Sequence, residues 1–512
     1  MKIKYISFVA LLVLGMQPLS SCKEDFLEVK PKGRNLESNY YLNAGEAYNG
    51  LIAAYDPVGW VAGSLFEKVS ALSAASDDHY AGGGSATDIN QLQVWSNYKL
   101  DPSTGPQEDM WRRGYQGIFR ANVLLQKLPG VPMDENMRNR FTAEAKFLRA
   151  YYYFDLVRLF RRIPLFTAPV SGGDAYSATQ VDRTEVYKQI EEDLIAAIPN
   201  LPTTITISTE AGRASQGAGR ALLGKVYLQQ EKFALAAAEL EQVNGAPGST
   251  SPYGYKLLSN FGDLFQTNNK FNTESIFEVA HTSTSNAGWG CIGCTEGNIL
   301  NQLVGPRGYS IKMSNAGAPT YISGYSFLPI TQNLVDAYKL PGGKYDPRYK
   351  YTVSNIDSLA KAGVVAYEPG FMNTGYFVAK YAGKVADEST GGGDKPLNWK
   401  QNTYEIRLAD TYLMEAEALV RSGVNTTRAQ SLLDAVRARV GLSTTPATFD
   451  NILLERRLEL AVEGHRWFDL VRTGKAATAL AFKGFVPGKH EALPVPLLEL
   501  NNTQLEQDPA YQ

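Results

Sequence analysis

Residues 456–475 read RRLELAVEGHRWFDLVRTGK and combine charged side chains with large apolar ones at short intervals. His465 and Asp469 are four residues apart, so they would be neighbours on the surface of one helix. Such a pair could serve acid–base catalysis, or it could belong to a polar cluster that fixes the helix against its neighbours. We expect the second role, with Trp467 and Phe468 packing into the core.

The same stretch predicts the end of one long helix over 451–473, opened by Asp450 and stopped at Gly474. Apolar residues recur with a helical period in several other parts of the chain. The further predicted helices are 44–55, 107–128, 141–161, 184–198, 216–229, 232–243, 404–421 and 427–440.

Two of these helices have the spacing of a tetratricopeptide unit, a repeat made of two antiparallel helices. The residues concerned are Leu223, Gly224, Tyr227 and Ala236. Because Gly224 and Ala236 are small, they would let the two helices approach closely.

Two long segments, 56–105 and 245–403, interrupt the helical pattern and are rich in Gly, Asn, Ser, Thr and Tyr. We expect loops, short strands and small helices there, and long irregular segments are usually functional. The length of 512 residues suggests roughly three domains. Because these inserts interrupt the scaffold, we predict instead one interleaved domain over 22–512. The predicted helical scaffold comprises 40–55, 107–243 and 404–475.

Composition excludes several classes of function. The formal net charge is −2, which does not suit a nucleic-acid binder that relies on bulk positive charge. Three Cys and four His leave little room for a metal site with several ligands. Hydrophobic residues make up 44% of the chain, enough for a large core, and aromatic residues make up 11%.

The N-terminus has the pattern of an export signal. Lys2 and Lys4 precede an apolar stretch over 6–16 that is too short to span a bilayer. The sequence LSSC ending at Cys22 resembles the lipobox of bacterial lipoproteins, so residues 1–21 are predicted to be a signal peptide and Cys22 a lipid anchor. The alternative is an ordinary secretory signal that happens to end near a cysteine.

Five further stretches resemble the SusD/RagB family of outer-membrane nutrient-binding lipoproteins, as does 456–475. They are CKEDFLEVKPKG from Cys22, AEAKFLRAYYYFDLVRLFRRIPL at 143–165, GRASQGAGRALLGKVYL at 212–228, YEIRLADTYLMEAEAL at 404–419 and LPVPLLELNNTQLEQDPAY at 493–511. The resemblance implies a mainly α fold, a tetratricopeptide-like superhelix whose inserts form a variable ligand-binding face. It also implies a SusC-like TonB-dependent transporter as partner and a location at the outer membrane, facing the cell exterior.

The inserts supply the candidate ligand contacts. Flat rings can pack against the C–H face of a sugar, while amide, carboxylate and guanidinium groups bind its hydroxyls. The alternative is that these rings merely pack the inserts onto the scaffold. The predicted contacts are Asp78, His79, Tyr80, Gln91, Trp95, Trp289, Arg307 and Tyr325, with Trp95 and Trp289 as the leading two. Trp289, Arg307 and Tyr325 belong to one cluster in the second insert, which also includes Tyr309 and Tyr321.

The remaining motifs do not favour a metal site or a catalytic site. Cys291 and Cys294 cannot complete a zinc site alone, and in an extracellular protein they favour a local disulfide. Asp77, Asp78 and Asp88 offer oxygen ligands for Ca²⁺, but the loop spacing that calcium sites require is absent. No metalloprotease, serine hydrolase or dinucleotide motif occurs.

We therefore expect a non-enzymatic surface lipoprotein that captures an oligosaccharide and delivers it to its transporter, without a cofactor. Three alternatives remain open at this point. The ligand could be a peptide, as in RagB-like proteins. The protein could be a glycoside hydrolase, which would need two carboxylates within reach of one bond. It could also be an interaction scaffold that binds protein segments in its concave face.

Overall fold

The computed structural model describes residues 41–314 and 316–512. The predicted signal segment and Cys22 lie outside the described residues. Helices dominate the described part and the strands are few and short, so the predicted mainly helical fold is confirmed. In these two ranges no helix is both long and apolar enough to cross a membrane.

The longer helices form the scaffold, and shorter ones lie between them. The helices up to residue 244 are α1 Ala44–Tyr55, α2 Lys68–Ala75, α3 Asn90–Ser96, α4 Gln107–Lys127, α5 Glu135–Phe160, α6 Gly172–Ser177, α7 Arg183–Ala197, α8 Ile207–Glu210, α9 Gln216–Gln229 and α10 Phe233–Asn244. The later helices are α11 Leu300–Leu303, α12 Gln332–Ala337, α13 Tyr349–Thr352, α14 Ile356–Lys361, α15 Leu408–Ser422, α16 Thr426–Arg439, α17 Phe449–Leu460, α18 Arg466–Arg472, α19 Ala476–Ala479 and α20 Leu497–Leu500.

The strands form three small antiparallel pairs. They are β1 Ser275–Val279, β2 Ser310–Ile311, β3 Val353–Asn355, β4 Val365–Ala366, β5 Tyr376–Val378 and β6 Thr403–Arg407. β1 pairs with β6, β2 with β4, and β3 with β5. Because Ser275 pairs with Arg407, the chain leaves the scaffold and returns to it at adjacent points.

The scaffold helices pack in sequence as an array. α4 packs on α5, α5 on α7, α7 on α9, and α9 on α10. α10 then packs on α15 across the whole second insert, and α15 contacts α16 and α17. The helical layer is therefore continuous although the sequence between α10 and α15 is not.

Glycines set the spacing between these helices. A Cβ at Gly224 would lie 2.6 Å from Cγ of Leu240, which confirms the close approach expected there. A Cβ at Gly117 would lie 2.2 Å from the ring of Tyr152, so α4 and α5 meet in the same way. Since real Cβ contacts are not this short, a larger residue would push the helices apart.

The predicted long helix over 451–473 is wrong. α17 ends at Leu460, the backbone turns with positive φ at Val462 and Gly464, and α18 begins at Arg466. The cap of α17 is the side chain of Thr448, not Asp450. The helix predicted from 404 also begins later, at Leu408, because the first residues form β6.

A group of buried ion pairs explains the break. The guanidinium of Arg407 lies 2.8 Å from Glu463, 2.6 Å from Glu459 and 2.9 Å from Glu274. All four side chains are fully buried. The turn after α17 therefore brings a second carboxylate, that of Glu463, back to the same arginine.

Two cations from the second insert join this group. Lys380 lies 2.9 Å from Glu463, and Arg348 lies 2.9 Å from Glu459 and 2.7 Å from Asp346. The group thus connects the insert to α17. We call the side chains of Glu274, Asp346, Arg348, Lys380, Arg407, Glu459 and Glu463 the buried ionic cluster.

The cluster stabilises the charged forms of its acids. Burial alone would raise the pKa of Glu463, but Arg407 and Lys380 outweigh burial and lower it. A buried ion pair adds little relative to apolar residues, whereas removing one partner costs about 3–5 kcal/mol.

Arg407→Met is expected to lower the free energy of unfolding by about 3–5 kcal/mol, because three buried carboxylates lose their shared partner. The measurement is denaturant unfolding followed by circular dichroism. The matched control is Arg162→Met, whose ion pair with Glu506 is long and exposed and should change stability by less than about 0.5 kcal/mol. Equal free energies of unfolding for the two variants would contradict the proposed contribution of the buried ionic cluster to stability.

We expect the buried histidines to make the stability of the fold sensitive to acid. Burial lowers the pKa of His79, His281 and His490 to about 4 and that of His465 to about 3. An unfolded histidine has a pKa near ~6.5, so between about pH 4 and 6.5 the unfolded state binds more protons. Stability should therefore fall as the pH falls through this window, by up to about 1.4 kcal/mol per pH unit for each histidine.

His79→Leu tests this reasoning at one position. The Nδ1–H of His79 donates to the carbonyl of Leu328, while its Nε2 is buried without a partner. Thermal unfolding from pH 7.5 to 4.5 should give a shallower loss of stability in the variant than in the wild type. Parallel plots of stability against pH for the variant and the wild type would contradict a contribution of His79 to the acid sensitivity.

Candidate functional site: the face around Arg307

The two inserts meet at a loop of the first insert that contains Gly82, Gly83 and Gly84, which we call the glycine-rich loop. The N–H of Gly83 donates to the carbonyl of Ser326 at 2.9 Å, and the carbonyl of Gly83 accepts from the N–H of Phe371 at 2.8 Å. Gly82 and Phe327 form an isolated β-bridge beside these bonds. The loop is thereby fixed to the second insert by backbone hydrogen bonds on both of its sides.

Only glycine fits at the centre of this loop. Gly82 has φ +75°, and a Cβ there would lie 2.4 Å from Cδ of Pro329 and 2.5 Å from the carbonyl oxygen of Ser326. Positive φ is costly for other residues, and the backbone oxygen cannot move away without breaking the bridge.

A polar face forms where the loop turns outward. The carboxylate of Asp88 accepts from the N–H of Gly84 at 2.7 Å and lies 3.7 Å from the guanidinium of Arg307. Arg307 Nη2 also donates to the carbonyl of Tyr325 at 3.3 Å. We call Gly84, Asp88, Arg307 and Tyr325 the Arg307 face.

The side chain of Arg307 is anchored but not saturated. Its backbone N–H donates to the hydroxyl of Ser326 at 2.8 Å, and its side chain is 37% exposed. Its Nε is buried and has no hydrogen-bond partner. An unpaired buried donor is unfavourable, so a ligand acceptor that reached it would be bound well.

Tyr325 is half-buried on this face. Burial raises the pKa of its hydroxyl and Arg307 opposes the rise, so the phenol is neutral and can donate a hydrogen bond at physiological pH. Tyr309 and Tyr321 pack together instead, with ring centroids 5.9 Å apart, and both are buried. The hydroxyl of Tyr309 donates to the carbonyl of Pro319.

Trp289 presents an exposed ring from a separate loop. Its side chain is 45% exposed, and its backbone N–H donates to the carboxylate of Asp394 at 2.9 Å. Cys291 and Cys294, two and five residues further on, are joined by a disulfide. Trp289 therefore remains a candidate for stacking against a ligand.

Three predicted contacts are core residues, which corrects the sequence analysis. Trp95 has no exposed surface and packs edge-to-face on Trp467 at 5.5 Å. Asp78 is buried with Arg457 at 2.7 Å. His79 is buried too, so none of the three can touch a ligand on the surface.

Tyr80 and Gln91 are half-buried. The ring of Tyr80 packs edge-to-face on Phe482, and Gln91 lies in the first turn of α3. Neither is joined to Arg307 by a hydrogen bond among the described residues, so their role as ligand contacts stays a prediction.

The aspartates do not form the calcium site considered above. The carboxylate of Asp77 accepts two hydrogen bonds from Arg466 at 2.8 Å, and Asp78 pairs with Arg457. Among the residues described, no group of three or more Asp, Glu, His or Cys side chains is arranged to hold a metal ion. Asp88, considered only as a metal ligand, belongs to the Arg307 face, and an acid following a glycine-rich loop is the signal that could have identified it.

The chain is similar to known protein families and to solved structures over most of its length. A model of the SusD family matches residues 360–486, and a model described as starch-binding associating with outer membrane matches residues 25–228. A solved structure described as a laminarin-binding SusD-like protein is 53% identical, with a TM-score of 0.87 over 92% of this chain and 100% of that one. The chain belongs to the SusD family.

Other similar proteins are more distant in sequence. SusD-like protein P38 of Formosa agariphila is 26% identical over 94% of this chain and 93% of its own length. Surface glycan-binding protein A of Bacteroides thetaiotaomicron, solved with laminarihexaose, is 24% identical with a TM-score of 0.80 over 91% of this chain and 99% of that one. At that identity the likeness concerns the fold alone.

Gly82→Ala is expected to loosen the loop of this SusD-like chain, because the new Cβ meets Pro329 and a backbone oxygen at a positive φ. Hydrogen exchange over 82–89 should become faster, with a loss of about 1–3 kcal/mol in stability. Gly63→Ala is the matched control, since nothing lies within 4 Å of a Cβ there. Unchanged exchange in Gly82→Ala would contradict the fit described here.

Proposed function

We propose that this protein is a non-enzymatic, lipid-anchored lipoprotein of the outer membrane that binds a laminarin-type β-glucan at its insert face. It would then pass the oligosaccharide to a SusC-like TonB-dependent transporter. The observation that carries this proposal is the 53% identity, over nearly the whole chain, to a protein described as laminarin-binding.

The chemistry of the inserts supports a glycan ligand. A pyranose ring carries C–H groups that pack on an aromatic face, and the ring of Trp289 is exposed for that purpose. Its hydroxyls need donors and acceptors, which Arg307, Asp88 and Tyr325 supply at neighbouring positions.

Binding without hydrolysis fits the charges of this face. A glycosidase needs one carboxylate to act as an acid and a second to act as a nucleophile or base. The Arg307 face as defined above has one carboxylate, that of Asp88, which lies beside Arg307 and accepts a backbone hydrogen bond. The related proteins are also described as binding proteins.

Titration calorimetry with laminarihexaose tests the proposed ligand. We expect saturable binding that weakens at least about tenfold, or 1.4 kcal/mol, in Arg307→Ala and in Trp289→Ala. Arg162→Ala, a change of an exposed arginine elsewhere, is the matched control and should bind as the wild type does.

Cellohexaose and maltohexaose are the control ligands, and both should bind more weakly than laminarihexaose. Equal binding of all three sugars would contradict the proposed linkage preference. Release of reducing ends during incubation with laminarihexaose would contradict the non-enzymatic role.

Cys22→Ala tests the anchor. Without its acylated cysteine the mature chain should leave the membrane fraction and the cell surface, because stable anchoring depends on the buried acyl chains. Surface labelling and fractionation of cells measure both properties. Full retention of Cys22→Ala at the surface, together with normal uptake of the glycan, would contradict the tethered mechanism.

A further inference from the structure

A second pocket lies on the helical scaffold, apart from the Arg307 face. It has a volume of about 480 Å³ and lies between α4, the segment after α5 and the C-terminal tail. This volume is within the range of small-molecule sites. None of the residues predicted above as ligand contacts lines this pocket.

Four aromatic side chains line the pocket. Trp111, Tyr115 and Phe119 recur every four residues along α4, and Phe166 faces them from the segment after α5. The centroids of Trp111 and Tyr115 are 5.0 Å apart, and those of Tyr115 and Phe166 are 5.9 Å apart. Phe119 is 46% exposed at the opening.

Most polar groups of the wall already have partners within the protein. The hydroxyl of Tyr115 donates to the carbonyl of Pro164 at 2.8 Å. The amide of Asn122 donates to the carbonyl of Phe166 at 2.9 Å and accepts from Arg149. These groups are therefore not available to bind the many hydroxyls of a sugar.

The wall also contains one carboxylate, that of Glu499 in α20. Burial raises the pKa of Glu499, a hydrogen bond with Trp111 opposes the rise, and the nearby Glu108 raises it further. Among the described residues, the groups that shift the pKa of Glu499 are thus Trp111 and Glu108, and neither is a cation. Arg112 also lines the pocket, but it pairs with Asp109.

We propose that this pocket binds a small organic cation, an amine or quaternary ammonium group on an apolar body, between the aromatic wall of α4 and the carboxylate of Glu499. Aromatic faces attract cations, and several rings around one positive group are a recurring way to bind quaternary ammonium ions. The carboxylate of Glu499, in the wall of the pocket, supplies the charge opposite to that of the bound cation. The proposal does not depend on glycan binding at the Arg307 face.

The test compares a cation with a neutral molecule of the same shape. Benzyltrimethylammonium is the probe, and its binding is followed by ligand-observed NMR with the full mature chain. Choline and 3,3-dimethyl-1-butanol, which differ in a nitrogen and its charge, then compete for the site. Choline should displace the probe at a concentration at least tenfold lower than the alcohol does.

Three variants locate the site. Glu499→Gln should remove the preference for choline over the alcohol, and Phe119→Ala should weaken the probe at least fivefold. Glu506→Gln is the matched control, since this glutamate lies in the same tail, is 73% exposed and does not line the pocket. Laminarihexaose binding should be unchanged in all three, which separates this proposal from the proposed function.

Two results would overturn the proposal. Equal competition by choline and the alcohol would mean an apolar pocket without a preference for charge. Absence of saturable probe binding at millimolar concentration in the folded wild type would mean that the pocket does not bind cations of this class.

Discussion

The fold depends on one fully buried arginine and the acids that surround it. Arg407 ends β6, where the second insert returns to the scaffold. Its guanidinium pairs with Glu274 just before β1, with Glu459 in α17 and with Glu463 in the turn after α17. Removing such charges from water is expensive, so the pairs are tolerated only when every partner is in place. The cluster consequently allows one arrangement of the insert on the helices. A shifted arrangement would leave a buried charge unpaired.

The same C-terminal stretch also fixes the first insert. Arg457 and Arg466, on either side of the turn after α17, bind Asp78 and Asp77. Further along the chain, the ammonium group of Lys483 donates to three backbone carbonyls of residues 74–79. The glycine-rich loop begins directly after this anchored segment. Its position at the Arg307 face thus follows from charges that lie well below the surface.

Much of the scaffold could be predicted from sequence, because a helix displays its period locally. The bounds of α1 and α9 match the prediction at both ends, and α4 differs by one residue. The break after α17 could not be predicted in this way, since it is stabilised by partners in β6 and the second insert. Local pattern gave no sign of the distant Arg407.

The candidate site was harder to predict for the same reason. Asp78 and Trp95 have the side chains of a sugar-binding loop, but whether they face solvent depends on Arg457 and Trp467, which are more than three hundred residues away. Arg307, Tyr325 and Trp289 keep some exposure, which a ligand contact requires. Composition can identify the insert, but only the packing decides which of its residues remain accessible.

The adjacent ends of the second insert have a consequence for how such proteins can diversify. Because β1 and β6 are paired, the segment between them can change length at little cost to closing the loop, about 0.6 kcal/mol for each doubling. Exchange of this segment between relatives would carry a new ligand specificity onto an unchanged helical array. The exchange has one electrostatic condition: without cations equivalent to Arg348 and Lys380 in the incoming segment, Glu459 and Glu463 would each lose one of their buried counter-charges.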